Sequence, residues 1–455
     1  MAAGAAVDAP LSLELLPRSA RVDDAGRLSV GGCDVEELAD VFGTPLYVYC
    51  EDELRARCRE YRDAFGADAV AYAGKAFLCV AMAQLARDEG MHLDVATEGE
   101  LHVALEAGFP PARIVFHGNN KSEGELRTAL GTGVGRIVVD SFDELDRIDV
   151  LVAAGLPAPS VLIRVTPGVE AHTHDYIATG ADDSKFGFSV STGAAREAAV
   201  RAAKSDAMEL VGFHCHIGSQ ILVLESFGLA ATVVAQLAAD VVHATGAPIG
   251  ELNLGGGLGV PYTADDLGAA SIASFATFVR ERYSRACLAA NLDPVPQLTM
   301  EAGRSIAGPS GITLYEVGTI KEIPGVRTYV AVNGGMSDNP RPATYGARYE
   351  AFVPSRVTAD RGLVASIAGK HCEQGDVLVA DAHLPVDLAV GDVLATPVTG
   401  AYSYSMASNY NLVPRPAVVF VRDGRARVVV RRESLDDLMA RDQIERGAPP
   451  SGKMD

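Results

Sequence analysis

Residues 69–116 read AVAYAGKAFLCVAMAQLARDEGMHLDVATEGELHVALEAGFPPARIVF. Three short runs, Ala69–Ala73, His92–Ala96 and Arg113–Phe116, are rich in apolar residues and each closes on a polar or glycine-bearing stop. Between them apolar positions recur three and four apart, as in Gly99–Ala107, which is the spacing of a helix that lays one face on a core. A strand, a stop and an amphipathic helix in repeated order is the unit from which α/β folds are built.

The unit continues outward. Further strands are predicted at Arg136–Val139, Val161–Val165, Leu210–His214, Glu251–Leu254 and Gln297–Met300, with helical patterns over Ser226–Ala244 and Ile272–Ala290. Eight strands alternating with helices predict an α/β protein with a (β/α)8 TIM-like barrel over residues 45–310. Periodicity alone leaves a doubly wound sheet open. After Arg304 the texture changes to short β-rich runs, ITLYEVGTI, RTYVAVN, DVLVA, AVVFV and ARVVVRR, broken by Gly, Pro and Asp. They predict a second, mainly β domain over 311–445. Residues 1–44, with RLSVGGCDVEEL, share that character and are expected to join it, as is PLYVYC just beyond. Residues 446–455 read as a loose tail.

A chain of 455 residues accommodates one barrel and one smaller domain, and 48% apolar residues supply a large core. The formal charge of −20 argues against nucleic acid and anionic membrane as partners, since both are polyanions. Seven cysteines (33, 50, 58, 79, 215, 287, 372) are dispersed without CxxC spacing. They predict free thiols in a reducing compartment and no zinc site. The start, MAAGAAVDAP, lacks the basic and apolar regions of a signal peptide, and no apolar stretch is expected to span a bilayer. A cytoplasmic protein is the expectation.

Barrels of this kind carry their chemistry at the C-terminal ends of the strands. Those ends hold Lys75, Asp94, Glu98 to Glu100, His117 to Asn119, Asp140, Arg164, His216 with Ser219, Gly255 to Gly257, and Glu301 with Arg304. The run Gly255, Gly256, Gly257 frees backbone N–H groups for an anion where barrels commonly bind phosphate, and Arg304 offers a charged fork. It lacks the spacing of a nucleoside-triphosphate loop. Lysine is scarce, seven against 32 arginines, so Lys75 at a strand end is a candidate Schiff-base amine whose pKa desolvation should lower. Lys121 and Lys185 also lie in glycine-containing loops, and spacing does not rank the three.

Seven segments carry a resemblance: YAGKAF (72–77), HGNNKS (117–122), HCHIGSQ (214–220), LGGGLG (254–259), GGMSDNPRPATYGA (334–347), GKHCEQGD (369–376) and TGAYSYSMASNYN (399–411). In this order, and across Phe42 to Arg432, the chain resembles the fold III pyridoxal-phosphate decarboxylases, whose barrels are alanine-racemase-like, and most closely the diaminopimelate decarboxylases. The resemblance implies pyridoxal 5'-phosphate bound by Lys75 as a Schiff base. It further implies His216 against the pyridine ring, the phosphate on Ser219 and the glycines at 255–257, and Glu301 at the ring nitrogen. A carboxylate there keeps the ring protonated and makes it a strong electron sink. Asp94, Arg304 and Tyr402 complete the implied cofactor set.

The resemblance also implies a homodimer with shared sites, in which Cys372 and Glu373 reach the partner's cavity. Cys372 would donate a proton to the carbon left by CO2. Arg304 and Arg341 would clamp the distal carboxylate of meso-diaminopimelate, Glu373 its distal ammonium, and Tyr345 and Tyr402 would add hydroxyl contacts. The implied reaction yields L-lysine and CO2. Two alternatives stay open: a decarboxylase of another amino acid or of a carrier-tethered amino acid, and a non-catalytic cofactor-binding homologue. Three positions depart from the pattern: Ala302 for proline, Asn333 for aspartate, and Glu98 for glycine. They are expected, in turn, to loosen the backbone at Glu301, remove a charge near Arg341, and set a negative side chain close to the cofactor.

Overall fold

A computed structural model describes residues 12–169 and 184–443. The expected tail at 446–455 lies outside the described residues, as do residues 1–11 of the N-terminal segment.

Eight parallel strands close into a barrel: β1 Val70–Ala73, β2 His92–Val95, β3 Ile114–Phe116, β4 Arg136–Val139, β5 Ser160–Thr166, β6 Glu209–Cys215, β7 Glu251–Asn253 and β8 Gln297–Ala302. Closure is made where Met300, Glu301 and Ala302 of β8 pair with Val70, Ala71 and Tyr72 of β1. That pairing rules out the doubly wound sheet. All eight sequence-predicted strands are present, with ends displaced by at most two residues.

The helices α1 Glu51–Phe65, α2 Val80–Asp88, α3 Glu98–Glu106, α4 Glu123–Thr132, α5 Phe142–Ala153, α6 Ala194–Lys204, α7 Glu225–Thr245 and α8 Ile272–Ala289 form the outer ring. Their starts are set by side chains that accept orphan backbone N–H groups: Thr97 from Glu100, Ser122 in a reciprocal box with Glu125, and Ser141 from Glu144. After β8 the chain makes only a four-residue helix, Arg304–Ala307, so the eighth place in the ring is filled from upstream by α1. Tyr61 and Arg57 of α1 bond the side-chain and backbone oxygens of Ser305 at 2.6 and 3.0 Å, and Phe65 meets Phe275 of α8 edge-on.

Against the sequence expectation, α7 is long and apolar enough to cross a membrane by length and composition, despite Gly228 and Asp240. In the fold it connects β6 to β7, and Phe227, Ala230, Val234, Leu237 and Val241 are buried in the barrel's core cluster.

The second domain is an eight-stranded sheet in which Gly311–Ile323 is central, pairing with Arg327–Val332, Val393–Pro397 and Leu46–Cys50. Leu46–Cys50 also lies parallel to Ala417–Arg422. Side chains alternate across a strand, and here the alternation joins the two domains. Leu46, Val48 and Cys50 enter the core of the β domain, while Tyr47 and Tyr49 enter the core of the barrel. Val418 and Phe420 face the barrel in the same way, and Ala417, Val419 and Val421 face the β domain. A shared pair of strands therefore seats the β domain against the barrel.

Candidate active site

At the C-terminal mouth of the barrel a cavity of about 670 Å³ is lined from both domains. Lys75, Asp94, His216, Ser219, Glu301 and Arg304 come from the barrel; Arg341, Tyr345 and Tyr402 come from beyond residue 310. Gly256 and Gly257 line a smaller recess that adjoins it and shares Lys75, His216, Glu301 and Tyr402.

Glu301 is the electrostatic centre. Its carboxylate is buried at the end of β8 and accepts from His117 Nε2 at 2.9 Å, Asn253 Nδ2 at 2.9 Å and His214 Nε2 at 3.2 Å. Burial alone would push its pKa up, but the electrostatic attraction and N–H donors of His117 and His214 outweigh it and hold the group well below the usual carboxylate range. His214 is pulled down to about 4, first by burial, and is neutral at neutral pH. The carboxylate accepts only, so the His214 proton sits on Nε2. His117, His214 and Glu301 also satisfy the spacing of a metal site, with each imidazole Nε2 directed at a Glu301 oxygen.

Lys75 lies in the one-turn 3-10 helix Gly74–Ala76 that follows β1. Its side chain is accessible only because the cavity opens onto it; protein atoms surround it otherwise. The expectation that desolvation lowers its pKa is not met. Burial does pull the ammonium down, but Asp94, Tyr402 and Glu301 offset it and the pKa lies above the ordinary lysine value. Sequence could not weigh burial against carboxylates that only the closed barrel brings together. Asp94 is itself pushed up by burial, and its carboxylate lies 3.7 Å from His117 Nε2.

The glycine loop after β7 is shaped by close approach. A Cβ on Gly255 would stand 2.6 Å from the Cys215 carbonyl oxygen, one on Gly256 1.9 Å from that of Glu301, and one on Gly257 2.4 Å from that of Gly218. Gly255 and Gly257 also have φ of +67° and +124°. The Gly256 N–H donates to His216 Nδ1 at 3.3 Å, and burial first, then Lys75, depress the His216 pKa well below its usual value. Arg304 donates to Ser219 Oγ through Nη2 at 2.9 Å and to the Tyr262 hydroxyl through Nη1 at 2.5 Å, while its guanidinium lies 4.7 Å from the Tyr402 ring centre. Tyr402 holds a positive φ of 61° and donates its N–H to the Ala76 carbonyl beside Lys75.

The three lysines are separated by structure. Lys121 is 2% exposed and donates to Gly118 O, Val138 O and Glu144 Oε1 at 2.7–2.8 Å, so it braces the loop 117–122. Lys185 lines the cavity but not the glycine recess, whereas Lys75 lines both.

Cys372 and Glu373 are exposed and do not line this cavity within the chain. Glu98 is exposed at the start of α3, where its N–H donates to Glu125, and its side chain is not in the cavity. Asn333 bonds Thr44 Oγ1 at 2.7 Å and the Glu316 N–H at 3.1 Å, a link between the β domain and the entry to Leu46–Cys50. Ala302 is paired in register with Tyr72 inside the β8–β1 ladder, which offsets the loosening expected there. His214, Asn253, Tyr262 and Tyr349 were not singled out from sequence. Alternation along β6 does carry a signal for His214, which shares a face with His216; nothing local marks the others.

The family of pyridoxal-dependent decarboxylases, pyridoxal binding domain, matches residues 51–308. A diaminopimelate decarboxylase of Mycobacterium tuberculosis is 48% identical over 439 residues, 94% of this chain and 98% of that one. One from Bacillus subtilis is 48% identical over 431 residues, covering 93% and 97%. The crystal structure of diaminopimelate decarboxylase from M. jannaschii in co-complex with L-lysine superposes with a TM-score of 0.87 at 33% identity, over 94% of this chain and 98% of that one. With near-complete coverage on both sides, the chain belongs to the diaminopimelate decarboxylase family of pyridoxal-dependent decarboxylases.

Proposed function

We propose that the protein decarboxylates meso-2,6-diaminopimelate to L-lysine and CO2, with pyridoxal phosphate as cofactor, in the cytoplasm and as a homodimer. The observation that carries the substrate is the pair of buried guanidiniums, Arg304 and Arg341, in the same cavity as the Lys75 amine. A lone ammonium at the far end of a substrate would be repelled there; a carboxylate is held by two forks.

The residues present fit the cofactor. Gly255 to Gly257 form a cradle with no room for a Cβ, Glu301 is held ionised, and Lys75 shares a recess with Gly256 and Gly257. When bound, pyridoxal phosphate supplies an electrophilic carbonyl and an electron sink. Lys75 is the amine that holds it. Glu301 keeps a proton at the ring nitrogen, and the neutral His216 walls the recess. Ser219, the glycine loop and Arg304 take the phosphate, with Asp94 opposite the lysine.

The substrate's distal carboxylate falls to Arg304 and Arg341, with hydroxyls from Tyr345 and Tyr402. In the partner subunit's cavity, Glu373 would bind the distal ammonium and Cys372 would deliver a proton to the carbon that loses CO2. One C–C bond breaks and its electron pair ends in one C–H bond, so the change balances. Exposure of Cys372 and Glu373 in the single chain supports this placement.

Product analysis tests the proposal. Purified holoenzyme given meso-diaminopimelate should release L-lysine and CO2 in equal amounts and leave ornithine and arginine untouched. Turnover of ornithine at a comparable rate would overturn the substrate reading.

A further inference from the structure

Tyr262 stands between the two arginines just described and has no part in the roles assigned above. It follows the glycine loop, is 5% exposed and lines the cavity. Its hydroxyl accepts from Arg304 Nη1 at 2.5 Å, and its ring lies under Arg341, whose guanidinium carbon is 4.6 Å from the ring centre. The outer sides of both cations are also fixed. Arg304 donates to Ser219, and Arg341 Nη1 donates to the Tyr349 hydroxyl at 2.5 Å. Tyr349 meets Tyr262 edge-on at 5.1 Å and 78°.

Two guanidiniums brought together out of water repel each other. A phenol between them offsets that repulsion in two ways, since its oxygen accepts from one cation and its negative ring face attracts the other. Burial pushes the Tyr262 hydroxyl up, yet Arg304 and Arg341 bring it below the usual phenol range. The oxygen is therefore polarised toward the cations it joins.

We propose that Tyr262 is the positioning residue that sets the spacing of Arg304 and Arg341, and so makes the pocket select amino acids bearing a second α-amino-carboxylate head group. The inference rests on the reading of those arginines as the carboxylate clamp. Phenylalanine at 262 keeps the ring under Arg341 and removes the acceptor for Arg304; leucine removes both.

Equilibrium binding to the cofactor-loaded enzyme tests it, with L-lysine, which retains the carboxylate, and pentane-1,5-diamine, which lacks it. Tyr262→Phe should weaken L-lysine about tenfold, the scale of one lost charge-assisted hydrogen bond. Tyr262→Leu should weaken it further, and neither should alter the diamine. KM for meso-diaminopimelate should rise in step while kcat changes little. Equal loss for both ligands, or unchanged L-lysine binding in Tyr262→Phe while Arg341→Ala weakens it, would overturn the role of Tyr262. Unchanged L-lysine binding in Arg341→Ala would instead remove the clamp itself. If Tyr262→Leu does not fold, the Phe variant, which differs by one oxygen, decides alone.

Discussion

His214 Nε2 lies 3.2 Å from Glu301 Oε2 in the barrel interior, a neutral imidazole donating to an ionised carboxylate. With His117 and Asn253 on the other oxygen, Glu301 is a buried negative charge whose position is fixed before anything binds. A preorganised charge of this kind acts without reorganisation cost when charge develops opposite it.

Glu301→Gln should therefore lower kcat by about 10²-fold or more, the scale seen when one preorganised electrostatic partner is lost. Cofactor absorbance should persist, because Lys75 and the glycine loop are untouched. An unchanged kcat with full cofactor content would remove Glu301 from the mechanism.

Capture of the cofactor by the apoenzyme should be slow at neutral pH. The amine of Lys75 must be unprotonated to react, and Asp94, Tyr402 and Glu301 raise its pKa against the pull of burial. The loading rate should climb as pH rises toward that pKa. Asp94→Asn removes one of the raising charges and should displace the profile to lower pH. A profile that stays in place, followed by stopped-flow absorbance, contradicts this account.

Lys121 and Glu144 form a pair at 2.8 Å with both side chains at most 2% exposed. Lys121→Met removes the ammonium donor from Glu144 Oε1, the Gly118 carbonyl and the Val138 carbonyl. It should cost about 3–5 kcal/mol of stability, as for other broken buried pairs. Chemical denaturation measures it; Lys185→Met, at an exposed position, is the control and should change little.

The shared sites proposed above predict complementation. Lys75→Ala and Cys372→Ala are each expected to be inactive. Mixed under conditions of subunit exchange, they should recover up to about a quarter of parental turnover, because half the dimers become hybrids and each hybrid has one intact site. No recovery, with hybrid formation shown by mass, would place Cys372 outside the partner's site.

Much of the fold was legible in the chain. The eight strands of the barrel stand at the predicted places because buried parallel strands are short apolar runs between helical patterns, and both periods are local properties. The close-packed loop after β7 was legible for a similar reason: three consecutive glycines mark a backbone that passes too close for a Cβ. Composition is less informative at α7: it does not tell a helix packed on a barrel from one in lipid, and only the fold shows the apolar face of α7 buried in the barrel core.

Sequence by itself determined the element order, the loop after β7 and a short set of titratable residues at strand ends. Tertiary structure decided which of those residues act on one another. Lys75 and Lys121 look alike in sequence, yet one opens into a cavity and the other is sealed against Glu144. Tyr262 and Arg341 are 79 positions apart and meet only because Leu46–Cys50 and Ala417–Arg422 present one face to each core and seat the β domain on the barrel. Burial, charge coupling and the sign of the Lys75 shift depend on distances between segments remote along the chain, and a linear sequence carries no distances.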